Sequence, residues 1–158
     1  MIAAPMKHFI AALAAMLTAA CAPAWAQALN PDVTQQNIGS TICAPGWAAS
    51  VRPPASYTAR VKRGLLRKAG LPLSSIRDYE LDHWVPLALG GAPRDSKNLR
   101  LHAWNGPDGA MSKDVLEVRM KREVCAGRVT LEAARQCMST DWRKCRLFVR
   151  KHIIGSDA

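Results

Sequence analysis

The sequence predicts a small α+β fold, in which a two-stranded β-hairpin and the helix that follows it lie among several further helices. Apolar and polar side chains alternate over residues 79–85 and again over residues 99–103, which is typical of strands with one buried face. Apolar residues recur three and four places apart before and after these stretches, which is typical of amphipathic helices. The cysteine count adds the expectation that disulfides brace the fold.

Residues 1–26 are expected to be a secretory signal peptide. One basic residue precedes an apolar run over residues 9–20, and the A-W-A pattern that ends at Ala26 predicts cleavage there. The run is too short for a membrane span of about 20 residues, so no span is predicted and the mature chain is expected to be secreted or periplasmic. A lipoprotein signal is the alternative, because residues 17–21 loosely resemble its cleavage box, although the leucine lies one place too far from the cysteine.

The mature chain is expected to be a single, strongly basic domain and a monomer. The sequence has 22 Lys and Arg residues against 12 Asp and Glu residues, and the signal peptide removes only Lys7. The mature chain therefore keeps 21 basic residues against 12 acidic ones, a net charge of +9. Such an excess indicates an anionic partner, which can be nucleic acid, acidic lipid or another polyanionic surface. General solubility is the alternative explanation.

Four cysteines remain once Cys21 leaves with the signal peptide, namely Cys43, Cys125, Cys137 and Cys145. An even number of cysteines in an exported chain indicates two disulfides, for which three pairings exist. We favour Cys43–Cys125, which ties the N-terminal segment to the end of a helix, and Cys137–Cys145, which closes a short loop. A zinc site is not favoured, since the sequence has no C-x-x-C pair.

The segment before the hairpin is predicted to contain one clear helix. Residues 27–40 are polar without a period, which predicts a flexible arm, and residues 41–51 are expected to be a short extended piece. Two prolines then delay the helix, which is predicted over residues 57–68 with Ser56 as its N-cap. A linker over residues 71–78 follows. The outer face of the helix carries basic residues that suit either solvent or a phosphate backbone, namely Arg60, Lys62, Arg63, Arg67 and Lys68.

The segment after the first strand is predicted to hold a glycine turn, the second strand and three helices. The helices are expected at residues 111–124, at residues 131–138, and from 139 or 141 to about 153. We therefore divide the chain into a signal peptide, a flexible arm, a domain and a tail, at residues 1–26, 27–40, 41–154 and 155–158.

Asp82 and His83 lie side by side at the end of the first predicted strand, and Asn98 opens the second. Hydrolysis of a phosphodiester needs an activated water and a cation that offsets the charge on the phosphate. Histidine is near neutral at working pH and can take a proton from water. Aspartate offers hard oxygen ligands to a divalent ion, and an asparagine amide can orient a histidine ring.

Short motifs surround these three residues. They are Glu80-x-Asp82-His83, Pro86-Leu87-x-Leu89-Gly90-Gly91 and Asn98-Leu99, flanked by Thr41-Ile42-Cys43, Gly46-Trp47, Arg52-Pro53-Pro54, Lys113-Asp114-x-Leu116-Glu117 and Val124-Cys125-Ala126-Gly127. Together they resemble an exported subfamily of the HNH endonuclease family over about residues 41–142. The resemblance implies a ββα-metal finger that hydrolyses phosphodiester bonds of DNA with one divalent ion.

The resemblance implies His83 as the general base, Asp82 as a metal ligand and Asn98 as the residue that holds the loop and the histidine ring. Family members usually add a histidine or asparagine near the start of the helix, and residues 109–112 contain neither. Asp114 is our first choice for the missing ligand. The alternatives for that place are His102, Asn105 and Asp108. Supporting roles are expected for Glu80, Lys113, Glu117 and His102. Mg²⁺ is the first expectation for the metal, ahead of Mn²⁺, Ni²⁺ or Zn²⁺.

Three functions remain open on the sequence alone. The leading hypothesis is an exported, metal-dependent DNA endonuclease. The second is a nucleic-acid-binding module that has the same fold and has lost catalysis, which the missing helix ligand supports. The third is a basic exported protein that acts on polyanions of the cell envelope, with Asp82 and His83 in a structural role.

Overall fold

The computed structural model describes residues 28–149, which form the predicted α+β class. This range contains four helices and one two-stranded sheet: α1 Trp47–Ser50, α2 Ala55–Lys68, β1 Tyr79–His83, β2 Leu99–Ala103, α3 Ala110–Cys125 and α4 Leu131–Val149. Short 3₁₀ turns connect them at Gln35–Ser40, Leu73–Arg77, Leu87–Leu89 and Ser96–Asn98. The predicted signal peptide and tail lie outside the described residues. Within residues 28–149, none of the helices has the length and apolar composition needed to cross a bilayer.

The β-hairpin sets the register of the residues predicted to form the site. β1 and β2 pair antiparallel, with Asp82 opposite Arg100 and His83 opposite Leu99. Leu81, Asp82 and His83 are buried, so the strand ends inside the molecule. The predicted acid and base therefore lie in the interior at the point where β1 meets the rest of the fold.

Two adjacent glycines allow the chain to turn back after β1. Gly90 has a φ of +76°, in the left-handed region that favours glycine. A Cβ atom on Gly91 would lie 1.9 Å from the carbonyl oxygen of Val85, so a side chain does not fit there. The turn brings Pro93 close to the ring of His83.

α3 and α4 pack against each other and supply most of the core. The core residues that they contribute include Leu116, Met120, Val124, Leu131, Ala134, Met138 and Trp142. α4 bends at Asp141, whose φ of −153° and ψ of 91° are not helical. This break agrees with the prediction of one helix that ends near residue 138 and another that restarts at residue 139 or 141. On α3 the buried face continues to Lys113, three residues before Leu116, and this places Lys113 against β1.

The segment predicted to be a flexible arm is packed where the structure describes it, from residue 28 to residue 40. Ala28 and Val33 are buried, and Leu29 forms a β-bridge with Gly91. Arg135 of α4 donates from Nη2 to the carbonyl oxygen of Val33 at 3.1 Å. The expectation of a loose arm is thereby corrected, because backbone groups of the glycine turn and a buried guanidinium bind this segment in place.

Two other local expectations are corrected. The piece over residues 41–51, predicted to be extended, contains the helical turn α1 after Gly46, which has a φ of +77°. α2 begins at Ala55 with Pro54 as its N-cap, two residues before the predicted cap Ser56. Proline is compatible with an extended N-cap because it lacks the N–H that a helix start leaves unpaired.

Both favoured disulfides are confirmed. Cys43 pairs with Cys125 across 82 residues, and Cys137 pairs with Cys145 across 8 residues. The first links the segment before α1 to the end of α3, and the second closes one stretch within α4 across its bend.

Removal of the two disulfides one at a time is expected to have unequal effects. Closure of a longer loop removes more entropy from the unfolded chain, so replacing Cys43 and Cys125 by serine should cost about 2 kcal/mol more than replacing Cys137 and Cys145. Urea unfolding of the two double variants measures the difference. An equal or larger loss from the shorter loop would contradict the expectation.

Candidate active site

A small cavity of about 70 Å³ lies at the end of β1 and collects most of the predicted site. Its polar lining consists of Arg52, Glu80, Asp82, His83, Asp114 and Glu117, and its apolar wall consists of Ala48, Pro86, Leu87 and Ala88. The strand β1, the first turns of α3 and the segment before α2 therefore meet around it. Of the predicted residues, Asn98, His102 and Lys113 lie outside this lining.

The ring of His83 is held by a backbone carbonyl. His83 is 6% exposed, and within residues 28–149 its ring makes one hydrogen bond, from Nε2 to the carbonyl oxygen of Pro93 at 3.1 Å. A carbonyl can only accept, so Nε2 carries the proton and Nδ1 is the basic nitrogen of the neutral ring. Burial lowers the pKa of His83 below its ordinary value of 6.5. The ring is therefore neutral at neutral pH and can accept a proton at Nδ1.

Asn98 holds the turn rather than the ring. Its Oδ1 accepts from the backbone N–H of Val85 at 2.7 Å, and its Nδ2 donates to the carbonyl oxygens of Val85 and Ala92 at 3.0 and 2.9 Å. The expectation that Asn98 orients the imidazole is corrected, because Pro93 does so. Asn98 fixes Ala92, the residue before Pro93, and so holds the carbonyl that orients His83.

Asp82 is surrounded by cationic donors. Lys113 donates from Nζ to Oδ1 at 2.9 Å. Arg100 donates to Oδ2 at 3.1 Å, and His102 donates to the same oxygen from Nδ1 at 2.8 Å. Burial acts most strongly and by itself would raise the pKa of Asp82, but the charges of Lys113 and Arg100 and the hydrogen bond with His102 together hold that pKa below its ordinary value. Both oxygens of the carboxylate thus have partners from the chain itself.

His102 points into this cluster and not to open solvent. Its Nδ1 faces Asp82 and its Nε2 faces the carbonyl oxygen of Asp108, each at 2.8 Å. His102 therefore links Asp82 to the backbone of Asp108. The supporting role predicted for His102 is the attachment of the loop before α3 to the carboxylate of Asp82.

Lys113 is the one fully buried lysine of residues 28–149. Its ammonium donates to Asp82, to the carbonyl oxygen of His83 at 3.0 Å and to Glu117. Because an ammonium group has three donors, these three contacts use all of them. Burial raises the pKa of Glu117 to about 7, although the nearby ammonium acts in the opposite direction. Lys113 and Glu117 form an internal network, and the Lys113 ammonium does not reach a ligand in solvent.

Glu80 and Asp114 are the cavity carboxylates without a hydrogen bond or ion pair to another residue of 28–149. The Oε2 atom of Glu80 is buried without a hydrogen-bond partner among residues 28–149. Burial raises the pKa of Glu80 to about 7, and the nearby carboxylates of Asp114 and Asp82 raise it further in the same direction. Asp114 lies exposed at the rim and forms no hydrogen bond or ion pair with a described residue. An unpartnered buried oxygen beside a second carboxylate is the pattern that a cation satisfies.

The metal ligands implied by the resemblance fit only in part. Within residues 28–149, no three His, Cys, Asp or Glu side chains come together as a metal-binding group. Asp82 does not fit, because cationic side chains already occupy its oxygens. Glu80 and Asp114 do fit Mg²⁺, which is usually held by one or two carboxylates while waters and substrate phosphate complete its shell.

Sequence reasoning missed three contributors to the site. Arg52 lines the cavity, Pro93 orients His83, and Arg100 neutralises Asp82. The sequence held a signal for Arg52, which belongs to the R-P-P motif. Arg100 is recognisable as a partner of Asp82 only once the strand register is known. The role of Pro93 is a backbone role, and its side chain gives no signal.

The raised pKa values of Glu80 and Glu117, both partly buried, predict how the free energy of unfolding depends on pH. A raised pKa in the folded state favours folding while the group is protonated, so this contribution is lost as pH rises through about 7. The lowered pKa of His83 has the opposite effect, because it makes the free energy of unfolding rise with pH, but this effect is confined mainly to pH values below 6.5. With a chelator present, the melting temperature should therefore fall between pH 6.5 and about pH 8. The Glu80→Gln variant should show a flatter profile, and a rise over this range would contradict the assignment.

Comparison of the chain with protein-family models, with curated proteins and with solved structures found no match. The chemistry of the site is therefore inferred from its own residues.

Proposed function

We propose that the protein is an exported endonuclease that hydrolyses phosphodiester bonds of DNA, with His83 as the general base. One observation carries the proposal most directly. His83 is neutral, its Nε2 is fixed by Pro93, and it lines a cavity that also contains a guanidinium and carboxylates. A fixed, neutral imidazole beside cationic groups is what proton abstraction from an attacking water requires.

Four polar residues of the cavity lining have distinct parts in the proposed reaction. His83 takes a proton from water at Nδ1, and its Nε2 keeps its own proton and donates it in a hydrogen bond to the carbonyl oxygen of Pro93. The exposed guanidinium of Arg52 binds a non-bridging oxygen of the phosphate. Held by Glu80 and Asp114, a divalent cation, with Mg²⁺ as the first expectation, would supply Lewis-acid stabilisation of the charge on the phosphate when bound.

Basic side chains next to the cavity support a nucleic-acid substrate. Tyr57 of α2 donates its hydroxyl proton to the carbonyl oxygen of Arg94, which follows Pro93. The guanidinium groups of Arg60 and Arg94 lie 5.6 and 5.4 Å from the centre of the Tyr57 ring. The basic face of α2 is thereby joined to the loop that orients His83. Lysine and arginine side chains on such a surface bind a phosphate backbone without regard to the base sequence.

A nucleic-acid-binding module without catalysis is the second candidate. The observation in its favour is that Asp82, the ligand that the resemblance implies first, is occupied by its own cationic partners. The two candidates predict the same retardation of DNA on a gel and differ only in cleavage.

A plasmid assay separates the two candidates. The oxidised mature chain is incubated with supercoiled plasmid in Mg²⁺, Mn²⁺, Ni²⁺ or Zn²⁺, and in a chelator. The proposed function predicts nicked and linear products with at least one of the metals and none with the chelator. Retardation without cleavage under every condition would overturn the proposal and favour the binding module.

Replacement of Arg52 by alanine is expected to lower kcat/KM for DNA by about 10- to 100-fold, because a charged hydrogen bond to phosphate is worth about 1.5–3 kcal/mol. Steady-state cleavage of a labelled duplex measures the effect. Lys144→Ala is the matched control, since it removes the same charge from an exposed position on α4. Equal losses in the two variants would show that Arg52 contributes only to overall charge and would contradict its role at the phosphate.

A further inference from the structure

We propose that the ammonium group of Lys113, and not a divalent ion, is the permanent counter-charge of Asp82, and that Lys113 thereby positions His83. The first half, that Lys113 neutralises Asp82, concerns the folded chain alone. The second half, that Lys113 positions His83, rests on the proposed function, because it assigns Lys113 as a positioning residue for the general base.

The contacts of Lys113 are complete. Its side chain is 0% exposed, and its ammonium contacts Asp82, the carbonyl oxygen of His83 and the carboxylate of Glu117. No donor is left for a ligand, and no surface is left for water. A buried ammonium with three acceptors is a built component of the interior, since an unpaired charge at such a depth is strongly unfavourable.

The contacts of Asp82 are equally complete. Lys113 occupies Oδ1, while Arg100 and His102 share Oδ2. A metal ion held by Asp82 would have to displace at least one of these donors. Displacement of Lys113 would take one of its two carboxylate partners from a fully buried ammonium, which is a destabilising change. The carboxylates of the cavity lining that remain available to a metal are Glu80 and Asp114.

The same contacts fix both the backbone and the ring of His83. Lys113 binds the carbonyl oxygen of His83, and Pro93 binds its Nε2. The backbone N–H of the next residue, Trp84, donates to the carbonyl oxygen of Asn98 at 2.8 Å. Loss of Lys113 would remove the restraint on the His83 carbonyl and let Nδ1 move relative to the cavity. The basic face of α2 would be unchanged.

NMR of the lysine ammonium groups tests the first half without any assay of activity. The buried Lys113 ammonium of the ¹⁵N-labelled, oxidised chain should exchange its protons slowly and give a resolved ¹H–¹⁵N signal. Assignment comes from the shift of this signal in Glu117→Gln, a variant that keeps Asp82 and the His83 carbonyl as acceptors. The signal is expected to persist unchanged in millimolar Mg²⁺. Loss of the signal on addition of Mg²⁺, or its absence from the wild type, would overturn the assignment.

Steady-state kinetics of Lys113→Met test the second half. A displacement of the base by about 1 Å costs about 10²-fold in rate, so kcat should fall by that order while KM and the affinity for DNA stay within about twofold. A purely structural role would reduce only the folded fraction, which circular dichroism measures in the same samples. If Lys113→Met does not fold, Asp82→Asn with Lys113→Met removes both buried charges and is assayed in its place. A kcat equal to that of the wild type per folded molecule would overturn the positioning role. A wild type that does not cleave DNA would refute the proposed function, and the ammonium signal would still decide which cation neutralises Asp82.

Discussion

Replacement of His83 by alanine is expected to lower the rate of DNA cleavage by about 10²–10⁴-fold, which is the usual contribution of a general base. The reason is the position of Nδ1, which is the basic nitrogen because Nε2 donates to Pro93. The lowered pKa of His83 keeps the ring neutral at the pH of the assay. Initial rates of cleavage of a labelled duplex, at equal concentrations of folded protein, measure the effect.

The control for this prediction is the affinity of the variant for DNA. His83 is 6% exposed, and within residues 28–149 the one hydrogen bond of its ring goes to Pro93, so the affinity of His83→Ala for DNA should equal that of the wild type. The affinity is measured by fluorescence anisotropy in the presence of a chelator. Cleavage by His83→Ala at the wild-type rate would refute the role of His83, and a parallel loss of affinity would assign it to binding.

Replacement of Asn98 by alanine is expected to be the most destabilising single substitution in the hairpin. Asn98 is fully buried and satisfies Val85 N–H, Val85 C=O and Ala92 C=O. Each of these three backbone groups costs about 1–3 kcal/mol when it is left without a partner, so the total loss should be about 3–9 kcal/mol. Because small domains are stable by only about 5–15 kcal/mol, a large part of the folding free energy would be lost. Urea unfolding measures the change.

Asn105→Ala is the matched control for Asn98→Ala. Asn105 is exposed in the loop before α3, so its replacement should change the free energy of unfolding by no more than about 0.5 kcal/mol. Equal losses in the two variants would contradict the role of Asn98. At temperatures where Asn98→Ala is folded, its cleavage rate should also fall, because the carbonyl of Pro93 depends on the turn that Asn98 holds.

The hairpin illustrates how much of the fold could be predicted from the sequence. Alternation over β1 and β2 predicted both strands, and the two glycines between them predicted the turn. The register could not be predicted, because it depends on which residues the turn brings opposite each other. The register decides that Arg100 lies opposite Asp82, and with it the electrostatics of the site.

The arm and the site show why the remaining predictions needed the structure. A polar segment without periodicity is typical of loops, and residues 28–40 are held by contacts with Gly91 and Arg135 that no local pattern reveals. Lys113 was expected to have a supporting role at the site, and the depth at which its ammonium lies depends on the packing of α3 against β1. Motifs indicated which residues gather at the site, whereas their partners followed only from the packing.

The most direct test of the proposed function is chemical rescue of His83→Gly by imidazole. The initial rate of plasmid nicking is measured as imidazole is added, in the metal that best supports the wild type. A general base at His83 predicts very slow nicking without imidazole and a rate that rises with the concentration of neutral imidazole. Nicking by His83→Gly at the wild-type rate without imidazole would contradict the assignment of His83 as the base.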